Sequence, residues 1–257
     1  MGYDKEDLSQ MLEAYGSVAS RTRKLREELI MRKYRSRRGQ EFAVHGFCRR
    51  LETLALTTRH VFEMLPPDVE GVPKKEVLDD VTIQLQAFVF NVFGAIDNLA
   101  WTWFHERDPK QENGKPVPAK YVGLAPDNTF LIGTLSKEFQ DHIAELKDWF
   151  QVIEGYRHGL AHRIPLYIPP YSVPEDKSDE YNQLGALALE AMSRQAWDEM
   201  EKHDADQKAL EVFHPMMMHS FEEGARTISF HPQMIADFGL VEVMGRRMLN
   251  ELNSLEG

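Results

Sequence analysis

Ala87-Phe88-Val89-Phe90-Asn91-Val92-Phe93-Gly94-Ala95-Ile96-Asp97-Asn98-Leu99-Ala100-Trp101-Thr102-Trp103-Phe104 is the most apolar stretch of the chain. Asn91, Asp97 and Asn98 interrupt it, so it reads as a buried core helix rather than a membrane span. The periodicity extends that helix over about 74–107 and gives it two apolar stripes. One runs through Val77, Val81, Leu85, Phe88, Val92, Leu99 and Trp103, the other through Phe90, Phe93, Asp97 and Phe104. A helix apolar on two sides lies at the centre of a bundle. Asp97 is an anomaly there, a charge where the spacing calls for an apolar side chain.

Outward from this helix the pattern stays helical. Leu8, Met11 or Leu12, Tyr15 and Val18 predict a helix over about 4–34 with Asp4 as N-cap. Phe42, Phe47, Leu51, Leu54, Val61 and Leu65 predict another over about 40–65, stopped by Pro66-Pro67. Residues 108–133, rich in proline and carrying Asn113-Gly114, read as a long loop. Ser136 can cap a helix over about 136–162, and an acidic link at 175–180 leads to another over about 178–207. Leu210–Met218 and Arg226–Phe230 could pair as a short hairpin across Ser220-Phe221-Glu222-Glu223-Gly224, and 240–252 is helical again. The expectation is an all-α bundle of five to seven helices with long loops and a small β-hairpin near the C-terminus. Residues 1–174 form the bundle with a basic N-terminal helix, and 175–257 form a helical extension packed on the same domain.

The formal charge of −11 over 257 residues argues against a general nucleic-acid coat protein. Its distribution is uneven: Arg21, Arg23, Lys24, Arg26, Arg32, Lys33, Arg35, Arg37 and Arg38 face only Glu27 and Glu28, a local +7. That segment is either a solvated helix face or a phosphate-contacting one. Cys48 is the single cysteine, which precludes an internal disulfide and reads as a small buried residue. Residues 1–6 are polar and acidic, with no hydrophobic signal segment, so the cytoplasm is the expected location. Met216-Met217-Met218 reads as core filler. His214, His219 and His231 have no cysteine or carboxylate at a familiar ligand spacing, so no metal is expected. A phosphate-cradling glycine loop, a dinucleotide fingerprint and a nucleophile elbow are all lacking, and no cofactor is expected.

Phe139, Ile143, Leu146, Phe150, Ile153, Arg157 and Leu160 step by four and three, an amphipathic stripe with an arginine in it. A guanidinium on such a stripe needs a partner or a ligand. Asp97 could be that partner, forming a buried pair that orients Arg157. His158 and His162 follow, then a proline-rich exit through Ile168-Pro169-Pro170. Two imidazoles beside an arginine suit phosphodiester cleavage without metal: one removes a 2′-hydroxyl proton, the other protonates the leaving oxygen, and the arginine steadies the phosphorus-bound oxygens. Arg157 and His162 are five residues apart, so a regular helix would point them differently; a break at Gly159 or a dimer axis could bring them together. The structural reading has Arg157 paired with an acid and the histidines capping a helix end. Tyr167 and Tyr171, with Arg163, could stack bases or simply pack along the exit.

Arg157-His158-Gly159-Leu160-Ala161-His162 matches the R-x4-6-H signature of the HEPN superfamily, with a polar residue directly after the arginine. Ala161-His162-Arg163-Ile164-Pro165-Leu166-Tyr167-Ile168-Pro169-Pro170 resembles the longer form found in one bacterial branch. The resemblance covers about 74–170 best. It implies a helical bundle that dimerises so that two motifs line one cleft, commonly a metal-independent ribonuclease leaving a 2′,3′-cyclic phosphate. It also implies a setting in toxin–antitoxin or phage-defence systems, with an antitoxin or regulatory protein as partner. By position, Arg157 and His162 would be catalytic, His158 would support the motif and Asp97 would be the acidic residue of an earlier helix. Asn98, Arg163 and Tyr167 would contact RNA. The alternative from a different class is a non-catalytic helical module binding a nucleotide or a protein through the same cleft.

Overall fold

The computed structural model of the chain describes residues 3–111, 114–220 and 227–255; Asn113 and the turn expected over 221–224 lie outside them. The architecture is all-α. Helix α1 (Lys5–Met31) starts on Asp4, whose carboxylate accepts the backbone N–H groups of Glu6 and Asp7 at 2.9 and 2.8 Å. Helix α2 (Arg37–Gln40), a π-helical segment (Glu41–Phe47) and α3 (Cys48–Met64) follow one another without a break and stop before Pro66. Helix α4 (Lys75–Arg107) is the longest, ending at Asp108 in the left-handed region at φ 46°. The short α5 (Thr129–Ile132) interrupts the long loop, and α6 (Lys137–Glu145) and α7 (Lys147–His162) lead to the exit. Helices α8 (Ser178–Ser193) and α9 (Trp197–Lys208) form a hairpin, and α10 (Phe230–Ser254) closes the fold. Strands β1 (Met216–Met217) and β2 (Ile228–Ser229) pair antiparallel, Met216 opposite Ser229.

The core lies where α4 meets α3 and α10, with α1 across them. Val81, Leu85, Phe88, Val92, Leu99 and Trp103 of α4 are buried, as the first stripe predicts. The second stripe is not part of the core: Phe90 is 41% exposed, Asp97 is exposed, and Phe93 and Phe104 are half-buried. That stripe forms a wall of the site described below. Helix α10 lies inside the bundle, with Phe230, Met234, Phe238, Val241, Met244 and Met248 buried and Gly245 packed on Phe47 and Leu25. It begins ten residues before the expected start at 240.

Two expected helices are each divided. The helix predicted over 136–162 breaks at Leu146, where the turn tightens so that the Leu146 N–H reaches the Ile143 carbonyl at 3.2 Å. The one predicted over 178–207 breaks at Gln195, which takes φ 59° and turns α9 back on α8. Neither site carries a glycine or proline, so the pattern of apolar residues runs through both. Cys48 is buried at 1% exposure, and burial pushes its thiol up to about 11, which makes it inert. Among the described residues no helix is long and apolar enough to cross a membrane.

Much of the basic segment is engaged within the fold. Arg21 pairs with the buried Glu242 of α10, Arg26 with Glu52 of α3 at 3.1 Å, and Arg38 with Glu41 at 2.6 Å. Arg32 pairs with the buried Glu106 at 3.4 Å and donates to the Leu252 carbonyl. Glu106 also accepts the backbone N–H groups of Arg35 and Ser36 at 3.0 and 2.9 Å, so one carboxylate fixes the α1–α2 turn against α4. Gly39 sits against that carboxylate, where a Cβ would overlap it. These pairings favour the structural reading of the basic segment over a continuous phosphate-contacting face.

Two buried titratable groups near the start of α10 oppose each other. His231 donates from Nε2 to the Leu65 carbonyl at 2.7 Å, and burial pulls its pKa down to about 4. Asp237 accepts from Trp149 Nε1 at 2.8 Å and Gln233 Nε2 at 2.7 Å, and burial pushes its carboxyl up to about 6.

Glu106→Gln is expected to lower the free energy of unfolding by about 3 kcal/mol because it takes the counter-charge from the buried Arg32 side chain. Glu41→Gln, in an exposed pair, should cost less than about 0.5 kcal/mol, and urea denaturation measures both. The folded state holds a proton on Asp237 that the unfolded chain releases, so this group's contribution falls as pH rises from about 4 to 6. His231 acts in the opposite sense, adding stability as pH rises from about 4 towards its unfolded value. Asp237→Asn should therefore be more stable than the wild type at pH 7, by up to about 3 kcal/mol, with the two curves converging near pH 4.

Candidate functional site

Helix α7 carries the motif to its last turn. Tyr156 points inward, buried against His219 with ring centroids 5.4 Å apart, and fixes the rotation of the helix. Gly159 faces His219 on the same side; a Cβ there would lie 3.5 Å from that ring. The helix does not break at Gly159, whose carbonyl still accepts the Arg163 N–H at 2.9 Å. His162 therefore stays in helical register, four residues from His158, and the two exposed imidazoles stand 5.1 Å apart between centroids. Of the two routes that could bring His162 to Arg157, the fold-back at Gly159 does not occur, and the histidine pair forms instead.

Arg157 lies on a neighbouring face, half-buried, with its guanidinium over the Phe93 ring of α4 at 5.0 Å from the centroid. Asp97 is one turn further along α4 and feels Arg157 as its strongest neighbouring charge. The expected buried pair is not what forms: Asp97 is exposed, and among the described residues no Asp97–Arg157 contact falls within ion-pair distance. The surrounding protein mass raises the Asp97 carboxyl above its ordinary pKa, and Arg157 and then Arg50 pull it back down. The anomalous charge on each stripe is explained by a half-open seam rather than by a sealed one.

Arg50 of α3 is the residue that the sequence reading missed. It lies across Gly94 of α4, donating from Nε to Asn98 Oδ1 at 3.0 Å and from Nη1 to Asn91 Oδ1 at 3.1 Å. Gly46 in the π-helical segment leaves room for the Asn98 amide, and any Cβ at residue 94 would overlap the guanidinium. Asn91 and Asn98, seven apart on one face of an apolar helix with Gly94 between them, are the signal that could have revealed it. Asn98 is thereby turned towards α3 and away from the motif.

The exit from the motif is stitched to the chain before β2. The Leu166 carbonyl accepts from Gln86 of α4 at 3.0 Å, and Tyr167 exchanges backbone hydrogen bonds with Met218 at 2.9 and 3.1 Å. Ser172 and Val212 are paired in the same way, both bonds at 2.8 Å. Tyr167 is half-buried at this bridge and Arg163 is exposed beside it. Tyr171 instead contacts Tyr181 of α8, hydroxyl to hydroxyl at 3.0 Å, so packing accounts for it. Beside Asp97 the loop 119–128 covers a cavity of about 160 Å3, walled by Phe93, Trp149 and Phe150. Among the described residues no group of three metal-ligating side chains comes together.

No family model matches the chain, and neither curated proteins nor solved structures yield a match.

Gly94→Ala tests the Arg50 seat. The displaced guanidinium is the free end of a flexible side chain, and alanine gains about 1 kcal/mol of helix propensity, so the net change in stability should be small. The Asp97 carboxyl pKa should rise further as Arg50 leaves, read by NMR titration of the side-chain carbon.

Proposed function

We propose that the chain is a HEPN-like, metal-independent endoribonuclease acting as a homodimer, with Arg157 and His162 at its centre. The observation that carries this reading is the exposed pair His158 and His162 on the last turn of α7, beside an arginine held at a half-open seam. Imidazoles kept for packing are buried and hydrogen-bonded, as His231 is; these two stand in solvent. A second feature supports association. Ile83, Phe90 and Asp97 are spaced by seven along α4, and Ile83 and Phe90 are 60% and 41% exposed. That apolar line leads to Asp97, and a second copy covering it would set two motifs across one cleft.

In this mechanism one imidazole takes the proton of a ribose 2′-hydroxyl as that oxygen attacks phosphorus. The phosphorus–5′-oxygen bond breaks, and a second imidazole gives its proton to the departing oxygen. The products are a 2′,3′-cyclic phosphate and a 5′-hydroxyl, with no redox change and no metal. Arg157 donates to the non-bridging oxygens as charge gathers there, and His158 supports His162 from the same face. Arg163 and Tyr167 at the exit would contact the RNA strand. An activity of this kind fits a toxin or phage-defence role under an antitoxin or another regulatory protein.

The second reading is a non-catalytic module that binds a nucleotide or protein at the same seam; it draws on the cavity beside Asp97, which a binding function would need as much as a catalytic one. Wild type should cleave RNA in EDTA and leave cyclic phosphate ends, whereas Arg157→Ala and His162→Ala should each fall by roughly 10²–10⁴-fold with unchanged melting curves. Equal cleavage by all three proteins, or none by the wild type at a concentration where light scattering finds a dimer, would sink the ribonuclease reading.

A further inference from the structure

The cavity under the loop 119–128 shares two residues with the motif seam. Phe93 carries Arg157 above its ring and lines the cavity, and Asp97 lines the cavity while lying in the field of Arg157. Its walls are mostly apolar, with Trp149 and Phe150 of α7 among aliphatic residues such as Ile96, Leu124 and Ile153, and Trp149 is held in place by its bond to the buried Asp237 at 2.8 Å. Asp97, Lys120 and Asn128 are the polar residues of its lining, with the exposed Lys120 ammonium at the rim over the Tyr121 ring at 5.0 Å. Gly123 is what admits the Asn128 amide, since a Cβ at that position would overlap it. At about 160 Å3 the cavity is smaller than the roughly 300–1,000 Å3 of drug-sized pockets, a size for one flat ring system and not for a whole nucleotide.

Resting on the ribonuclease reading, we infer that this cavity holds one guanine base of the RNA, its ring against Phe93 and Trp149 and its Watson–Crick edge on Asp97. Single-stranded RNA is recognised by splayed bases that stack on aromatic side chains and hydrogen-bond through their edges. A carboxylate accepts hydrogen bonds and offers none, so it selects an edge with adjacent N–H donors. Guanine alone presents two side by side, at N1 and the 2-amino group. Adenine and cytosine set an acceptor next to their amino group, and uracil flanks its single N–H with two carbonyls. The Lys120 ammonium is a donor matched to the O6 and N7 acceptors of guanine. Because Phe93 underlies both the base and Arg157, a seated guanine places its own phosphate near the motif, and the cavity sets where the strand is cut.

The test is binding of guanosine, adenosine, cytidine and uridine, each alone, followed by saturation-transfer NMR, together with mapping of cleavage positions on a mixed-sequence RNA. Guanosine should bind at least tenfold more tightly than the other three. Lys120→Gln should reduce that preference, and Ala125→Leu, which adds bulk to the cavity lining, should abolish guanosine binding while the protein still melts as the wild type does. Equal signals from all four nucleosides, or guanosine binding that survives Ala125→Leu, overturns the assignment. The two readings fail separately: RNA cut without regard to guanine removes the base pocket and leaves the ribonuclease, whereas guanosine bound in the cavity without RNA cleavage removes the ribonuclease and leaves the pocket.

Discussion

Helix α4 crosses the molecule in 33 unbroken residues, about 50 Å at the usual rise, and every other helix must accommodate that length. A rod so long cannot be dry all round in a chain of this size. Its first stripe packs against α3 and α10, and its second is left to the motif helix, the loop before α5 and solvent. The charges follow from this division. Asp97 and the Arg157 guanidinium lie on the half-open side, where water and neighbouring dipoles keep an ion affordable. Glu106 near the same helix's end is wholly buried and is tolerated only because Arg32 and two backbone N–H groups surround it.

Period alone sufficed for the long helices. The stripe of α4, the Asp4 and Ser136 caps, and the stop at Pro66 all depend on local chemistry that a single segment carries within itself. What the period does not see are single-residue events. The turn at Leu146 and the left-handed Gln195 end one helix and start another, the π-helical stretch over Glu41–Phe47 shifts the register, and no proline or glycine announces the first two. The start of α10 was hidden because residues 228–229 serve a strand and the helix begins at the very next residue.

The site was legible in part for the same reason. Arg157, His158 and His162 fall within six residues of one helix, and their spacing already sets the histidines four apart on one helix face. The relation of Arg157 to Asp97 is between helices, and a charge out of place on each suggested closer contact than the fold makes. Arg50 could not be found from its own segment, since nothing in α3 sets it apart from the neighbouring Arg49. Its role is conferred by an absence on another helix, the missing side chain of Gly94.

Helix α10 also ties together elements that precede it by roughly one to two hundred residues. Gly245 packs on Phe47 and Leu25, Asp237 anchors Trp149 of the motif helix, and Glu251 accepts from the Ser136 backbone N–H that opens α6. A nascent chain that has emerged only through α9 has these groups facing water and the motif helix without its anchor. The anchor of the motif helix is therefore supplied by a residue 88 positions further along the chain. Arg157, His158 and His162 thus depend for their setting on a helix that is made well after their own.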